Sequence, residues 1–212
     1  MSDHEEFWSE RYRGVGDDYL FGTAPNRFLA RQIGRFQRGQ RALSVADGEG
    51  RNSVWLAEQG LAVTAIDVSA VAVEKARRLA SERQVEVGFQ VADMLSANWL
   101  RPDIRGAFDW VVGIFIQFAG PDERVRQFSA MKAATRPGGA IVLQGYTPRQ
   151  LKYRTGGPSA VENLYTETLL RDAFADWHIE ELTEYEDEIR EGTGHQGRSA
   201  LIGLVARKPA GG

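Results

Sequence analysis

The stretch Ser44–Asn52, SVADGEGRN, decides the fold. Ahead of it, Ala42–Ala46 is a short apolar run; behind it, Arg51–Gln59 has helical spacing and meets a stop at Gly60. The segment therefore reads as a glycine-rich turn between a strand and a helix, which aims backbone N–H groups at a ligand. Gly48 and Gly50 supply a G-x-G spacing, but the third glycine of a dinucleotide fingerprint falls on Ser53. Asp47 and Glu49 bring two carboxylates to where phosphate oxygens would lie. Like charges a few ångströms apart in a partly dry site repel by energies on the order of kcal/mol. The turn disfavours a pyrophosphate and suits a phosphate-free ligand with a positive centre.

Outward from the turn, strand-like and helix-like segments alternate from residue 41 to 145, as in a parallel α/β sheet. Ala62–Ile66 is a second strand, closed by Asp67. Ser69 is positioned to cap a helix whose Ala72, Val73, Ala76, Leu79 and Ala80 share one face. Val85, Val87, Phe89 and Val91 alternate as in a strand near a sheet edge, whereas Trp110–Ile116 is apolar almost throughout and predicts a central strand. Asp122–Thr135 reads as a helix, Arg136-Pro137-Gly138-Gly139 as its breaker, and Ala140–Leu143 as a fifth strand. Thr166–Phe174 predicts a helix, and His178–Tyr185 with Ser199–Ala206 an antiparallel hairpin. The expected organisation is one domain over 1–212. It has N-terminal lid helices over 1–40, a cofactor-binding core over 41–145, and a substrate side with the closing hairpin over 146–212.

Composition narrows the chemistry. The 212 residues carry a formal net charge of -3, which argues against nucleic acid as the main partner. There is no cysteine, which excludes disulfides, thiolate zinc sites and a cysteine nucleophile, and with it attack on a pyrimidine ring carbon through a thiolate adduct. His4, His178 and His195 form no metal-ligand spacing, so no metal is expected. The N-terminus lacks a basic and an apolar signal region, and no apolar run approaches the roughly 20 residues of a membrane helix. A cytoplasmic enzyme without a membrane partner, monomeric or homodimeric, is the expectation.

S-adenosyl-L-methionine, which becomes S-adenosyl-L-homocysteine after methyl transfer, is a nucleoside with a sulfonium and no phosphate. Asp67, about 20 residues beyond the glycine turn, suits its ribose hydroxyls. In Ala92-Asp93-Met94, at the end of the third strand, a carboxylate can take the adenine amino group while Met94 packs on the ring. The expected cofactor contacts are Ala46, Asp47, Gly48, Glu49, Gly50, Asn52, Asp67, Val68, Ser69, Ala92, Asp93, Met94 and Phe115. Acids at strand ends also serve as helix caps, the competing role for Asp93 above all.

On these residues the chain resembles the class I S-adenosylmethionine-dependent methyltransferases, and within them the tellurite-resistance and thiopurine methyltransferase-like group. GEGRNSVWLAEQGLAVTAIDVS is similar to that group's cofactor turn and second strand, FDWVVGIF and RPGGAIVLQGYTP to its fourth and fifth strands. FWSERYRGVGDDYLFGTAPNRFL and EGTGHQGRSALIGLVARK are more particular to the group. The resemblance implies a Rossmann-like sheet of seven strands with the last antiparallel, helices on both faces, and an N-terminal helix that closes over the cofactor with Trp8, Tyr12 and Phe21. It implies catalytic roles for His195 and Arg198 in the GHQGR context, His195 as general base or anion donor. Ser44 and Ala46 stand where the family usually has an acid and a glycine, so Asp47 is expected to accept from the methionine ammonium. The substrate implied is a small molecule bearing its own nucleophile: a thiol, selenol, chalcogen oxyanion or phenolate. Arg149, Lys152, Arg154, Arg190 and Arg198 would suit an anion. The rival readings are an NAD-dependent Rossmann oxidoreductase and a non-catalytic cofactor-binding protein of the same fold.

Overall fold

A computed structural model describes residues 3–211. In chain order the elements are α1 (Asp3–Gly14), α2 (Arg27–Arg31), β1 (Arg41–Val45), α3 (Arg51–Glu58), β2 (Ala62–Asp67), α4 (Ala70–Glu82) and β3 (Val87–Val91). They continue with β4 (Phe108–Ile114), α5 (Pro121–Ala134), β5 (Thr135–Tyr146), α6 (Glu167–Ala173), β6 (His178–Glu191) and β7 (His195–Arg207). The strands form one seven-stranded sheet in the order β3-β2-β1-β4-β5-β7-β6. The pairs β1–β2, β2–β3 and β4–β5 are parallel and β5–β7 is antiparallel. Chain contacts divide the protein into two compact units, Met1–Trp99 with Glu191–Gly194, and Leu100–Arg190 with His195–Gly212.

In the first unit, β1 is buried from Ala42 to Val45, and β3 is the edge strand that its alternation predicts, with Val91 exposed. Ser69 caps α4 by accepting from the Ala72 N–H at 3.3 Å. The expected face of α4 is buried in full: Ala72, Val73, Ala76, Leu79 and Ala80. Burying side chains the size of Val73 and Leu79 stabilises by about 1.5–3 kcal/mol each. That face also contains Lys75, which apolar periodicity does not flag. Gly60, at φ +88°, ends the α3 segment as expected.

In the second unit, α5 ends at Ala134, just ahead of Arg136-Pro137-Gly138-Gly139, as expected of a helix breaker, but β5 begins at Thr135 rather than Ala140 and takes that segment in. The physical reason is a close approach of backbones. A Cβ on Gly139 would lie 2.9 Å from the Phe108 and Asp109 carbonyl oxygens, and the β4–β5 register shifts between Phe108 and Trp110. Glycine in a strand commonly marks such a contact. The last two strands are longer than the sequence predicts, and His195 opens β7 instead of sitting in a loop.

Candidate functional site

The first unit gathers most of the expected cofactor residues at the C-terminal ends of its three parallel strands. Gly48 and Gly50 both take left-handed φ, +63° and +90°. Gly50 also admits α4: a Cβ there would stand 2.8 Å from the Ala76 Cβ. Ala46 has φ +47°, so the residue standing where the resemblance leads one to expect glycine is held in a conformation that favours glycine.

Asp67 ties the end of β2 to this turn. Its carboxylate accepts from the Gly48 N–H at 2.8 Å and from the Ser69 N–H at 2.9 Å. Each carboxylate oxygen keeps a further lone pair, which suits a pair of vicinal hydroxyls. Burial pushes the Asp67 pKa up to about 6; the Ser69 and Gly48 N–H groups oppose the rise, and the charges of Asp47 and Glu49 add to it. Val68, half-buried, separates Asp67 from Ser69, whose hydroxyl lies 2.8 Å from that of Ser9 in α1.

The other two acids of the turn have internal partners. Asp47 accepts from the Ser44 hydroxyl at 2.6 Å and from both the hydroxyl and the backbone N–H of Ser53. These bonds tie the strand end to the first turn of α3. Burial still raises its pKa, against those hydrogen bonds. Glu49 is buried and forms an ion pair with Lys75 at 3.0 Å while accepting from the Leu20 N–H at 2.7 Å. Lys75 also donates to the Tyr12 and Asp18 carbonyls, each at 2.8 Å. The charge that Glu49 was expected to set against phosphate is neutralised inside the unit.

What covers the turn is Tyr12. A Cβ on Gly48 would meet its hydroxyl at 2.8 Å. Trp8 stacks on Tyr12 with ring centroids 6.1 Å apart, and Phe21 meets Tyr12 edge-on at 6.4 Å. Together with Leu20 and Ala72 these rings form one apolar cluster. Burial raises the Tyr12 pKa well above its ordinary value, helped by Asp67 and Glu49, so the phenol stays neutral. Asn52 is buried and holds the Asn26 N–H at 2.9 Å.

At the end of β3, the Ala92 N–H donates to the Asp67 carbonyl at 2.9 Å. Asp93 accepts from the Leu95 N–H at 2.8 Å, which closes a local turn rather than capping a helix. Met94 is buried, and its carbonyl accepts from the Trp99 indole at 2.8 Å.

Phe115, His195 and Arg198 belong to the second unit. Phe115 follows β4 with φ +57°, a strained position for an aromatic residue. It stacks on Tyr146 at 4.6 Å and receives the His195 ring edge-on at 4.7 Å. Arg198 is bonded to Glu186, which also pairs with Arg149, and both arginine side chains are largely exposed. The Arg198 hydrogen bond is the first cause of the lowered Glu186 pKa. Two of the cations expected to meet an anion thus already have a carboxylate. Among the described residues no group of His, Asp and Glu could hold a metal ion, and no helix is long and apolar enough to cross a membrane.

Residues 42–139 match the family of the methyltransferase domain. Over essentially its whole length the chain has the Rossmann-like methyltransferase fold. The protein whose structure was described for the conversion of a disulfide bond into a thioacetal group during echinomycin biosynthesis superposes with a TM-score of 0.80, at 21% identity, over 99% of this chain and 94% of that one. TehB from Haemophilus influenzae superposes with a TM-score of 0.70, at 18% identity, over 96% of this chain and 66% of that one. In sequence the chain is 29% identical over 174 residues to hemagglutinin 1 of Eikenella corrodens, covering 80% of this chain and 55% of that protein. The chain thus spans about half the length of that relative.

Lys75, Arg51 and Glu191 were not found by sequence reasoning. Lys75 sits beside the apolar positions of α4 and was hidden among them; Glu191 is 140 residues from its partner Arg51. The only signal for Glu191 was its place in EGTGHQGR.

Proposed function

We propose that this protein transfers the methyl group of S-adenosyl-L-methionine to the nucleophile of a small molecule, with S-adenosyl-L-homocysteine as the product. One observation carries the reading. Asp67 stands at the end of β2 with both carboxylate oxygens directed by backbone N–H groups of the glycine turn and α4, and Tyr12 closes the space over Gly48. A nucleoside can offer its ribose to that carboxylate; a dinucleotide would have to lay its pyrophosphate where the phenol ring lies. The methyltransferase domain match over 42–139 supports the same donor. Methyl transfer from a sulfonium is an in-line displacement, so the chain has to bind the donor, align the nucleophile, exclude water and, for an acceptor that arrives protonated such as a thiol, remove its proton. The Trp8, Tyr12 and Phe21 cluster would exclude water. His195, ringed by Phe115 and Tyr146, is the residue proposed to take the proton. The acceptor would be a thiol, selenol, chalcogen oxyanion or phenolate. The tellurite-resistance and thiopurine methyltransferase-like grouping is proposed on the quoted motifs, with the superposition on TehB as support for the fold alone.

Calorimetric titration with S-adenosyl-L-homocysteine and with NAD tests the donor. Binding of the first and not the second is expected; NAD binding that the nucleoside thioether cannot displace would refute the reading. Transfer of labelled methyl to a panel of thiols, chalcogen oxyanions and phenols then identifies the acceptor.

A further inference from the structure

A groove of about 310 Å³ runs between α5 and α6 of the second unit, lined by Arg124, Val125 and Phe128 from one helix and by Leu169, Asp172 and Ala173 from the other. Phe128 is buried beneath it, whereas Val125 is 66% exposed, more than any other large apolar side chain among the described residues. The packing of the unit does not account for that valine. α5 already has a buried face, formed by Gln127, Phe128, Met131 and Ala134, and a surface helix carries polar residues away from such a face. A second bare valine adjoins the Arg124 end of the groove. Val161 is 53% exposed and precedes Glu162, whose carbonyl accepts from Arg124 at 2.6 Å. Single exposed apolar residues are ordinary, but two of them beside an apolar groove with a polar rim mark an interaction surface.

The charges select the occupant. Lys132, further along α5, is already paired with Asp176. Arg124 has a neutral carbonyl as its partner, and the Asp172 carboxylate has no ion-pair partner among the described residues. One unmatched cation and one unmatched carboxylate therefore stand on opposite walls of the groove. A two-fold axis exchanges such walls: the α5 side of one molecule lies on the α6 side of the other, and every contact occurs twice. We propose that this face joins two copies of the chain, with Val125 of each molecule entering the groove of the other and Arg124 of each opposite Asp172 of the other. An acidic or a basic foreign surface would match one wall and repel the other. The same surface turned about matches both.

Sedimentation velocity on the full chain, from about 1 to 100 μM, covers the dissociation constants of moderate and weak dimers. The wild type should move toward twice the 23.6 kDa of one chain as its concentration rises. Val125→Asp should raise the dimer dissociation constant roughly hundredfold, because two valines lose their burial at about tenfold each. Arg124→Asp and Asp172→Arg should each raise it at least about tenfold by setting like charges opposite one another. Combining the two reversals should bring it back to within about fivefold of the wild type. A wild type that stays monomeric throughout the range leaves the groove to another occupant and overturns the proposal. A dimer that Val125→Asp leaves unchanged overturns it too, since that side chain is exposed in the single molecule and its replacement spares the fold. So does a double variant that stays as weak as the single reversals; where a single reversal does not fold, Val125→Asp still decides.

Discussion

Replacing Asp67 by asparagine tests the electrostatics of the site most directly. The folded protein holds the Asp67 proton with a pKa of about 6 against an ordinary 3.8, a difference of about 3 kcal/mol at about 1.4 kcal/mol per tenfold. The direction follows from the acid being harder to ionise when folded. Its contribution favours the folded state below pH 4 and is lost as the pH rises through 6. Asparagine does not titrate there, but it has one oxygen for two N–H donors, so either Gly48 or Ser69 loses its acceptor, at about 1–3 kcal/mol. Near pH 7.5 the relief of charge and the lost hydrogen bond should roughly cancel. At pH 4 only the loss remains, and Asp67→Asn should be the less stable protein. Urea unfolding followed by tryptophan fluorescence at several pH values between 4 and 7.5 gives the difference between the two proteins, in which the other titrating groups largely drop out. That difference should change by about 2.5 kcal/mol across the range. A constant difference would refute the buried, high-pKa carboxylate. On the ligand side, wild-type affinity for S-adenosyl-L-homocysteine should fall about tenfold per pH unit below 6, since a protonated carboxyl cannot accept from both hydroxyls, and the variant should bind weakly at every pH.

Lys75→Met strands the buried Glu49 carboxylate and two backbone carbonyls; a loss of about 3–5 kcal/mol in urea unfolding is expected, with faster proteolysis between residues 12 and 20. Ala46→Gly should leave stability equal or raise it by up to about 1 kcal/mol, because relief of the left-handed strain offsets the entropy of an added glycine, and thermal melting reads the sign. His195→Ala should leave binding of S-adenosyl-L-homocysteine within about twofold while lowering kcat by roughly a hundredfold or more; equal turnover would remove His195 from proton transfer.

Much of the architecture was legible because local chemistry set it. The Gly48–Gly50 turn, the Ser69 cap and the alternating β3 each depend on neighbours within a few residues, and each stands where the sequence puts it. Reading failed where a distant backbone decided the matter. Arg136-Pro137-Gly138-Gly139 ends the helix as read, but the strand begins ahead of it rather than after it, where the carbonyls of β4 approach Gly139 closely. The acids of the turn were found, but not their partners. Asp47 faces two serines, Glu49 a lysine from the next helix, and a sequence shows charges without showing which are already matched. Arg51 and Glu191 were invisible as a pair for the same reason, and Tyr12 was visible only through the family resemblance.

The sequence distance between Arg51 and Glu191 has a consequence for synthesis. On the ribosome the guanidinium is made 140 residues before its counter-charge, a delay of about 7–28 s at 5–20 residues per second. Until then Asn26 lacks an acceptor for its side-chain amide, and Leu20 lacks the N–H groups of Thr193 and Gly194. The nascent N-terminal half therefore leaves the exit tunnel with its polar seam open, and only the arrival of the last strands lets it close.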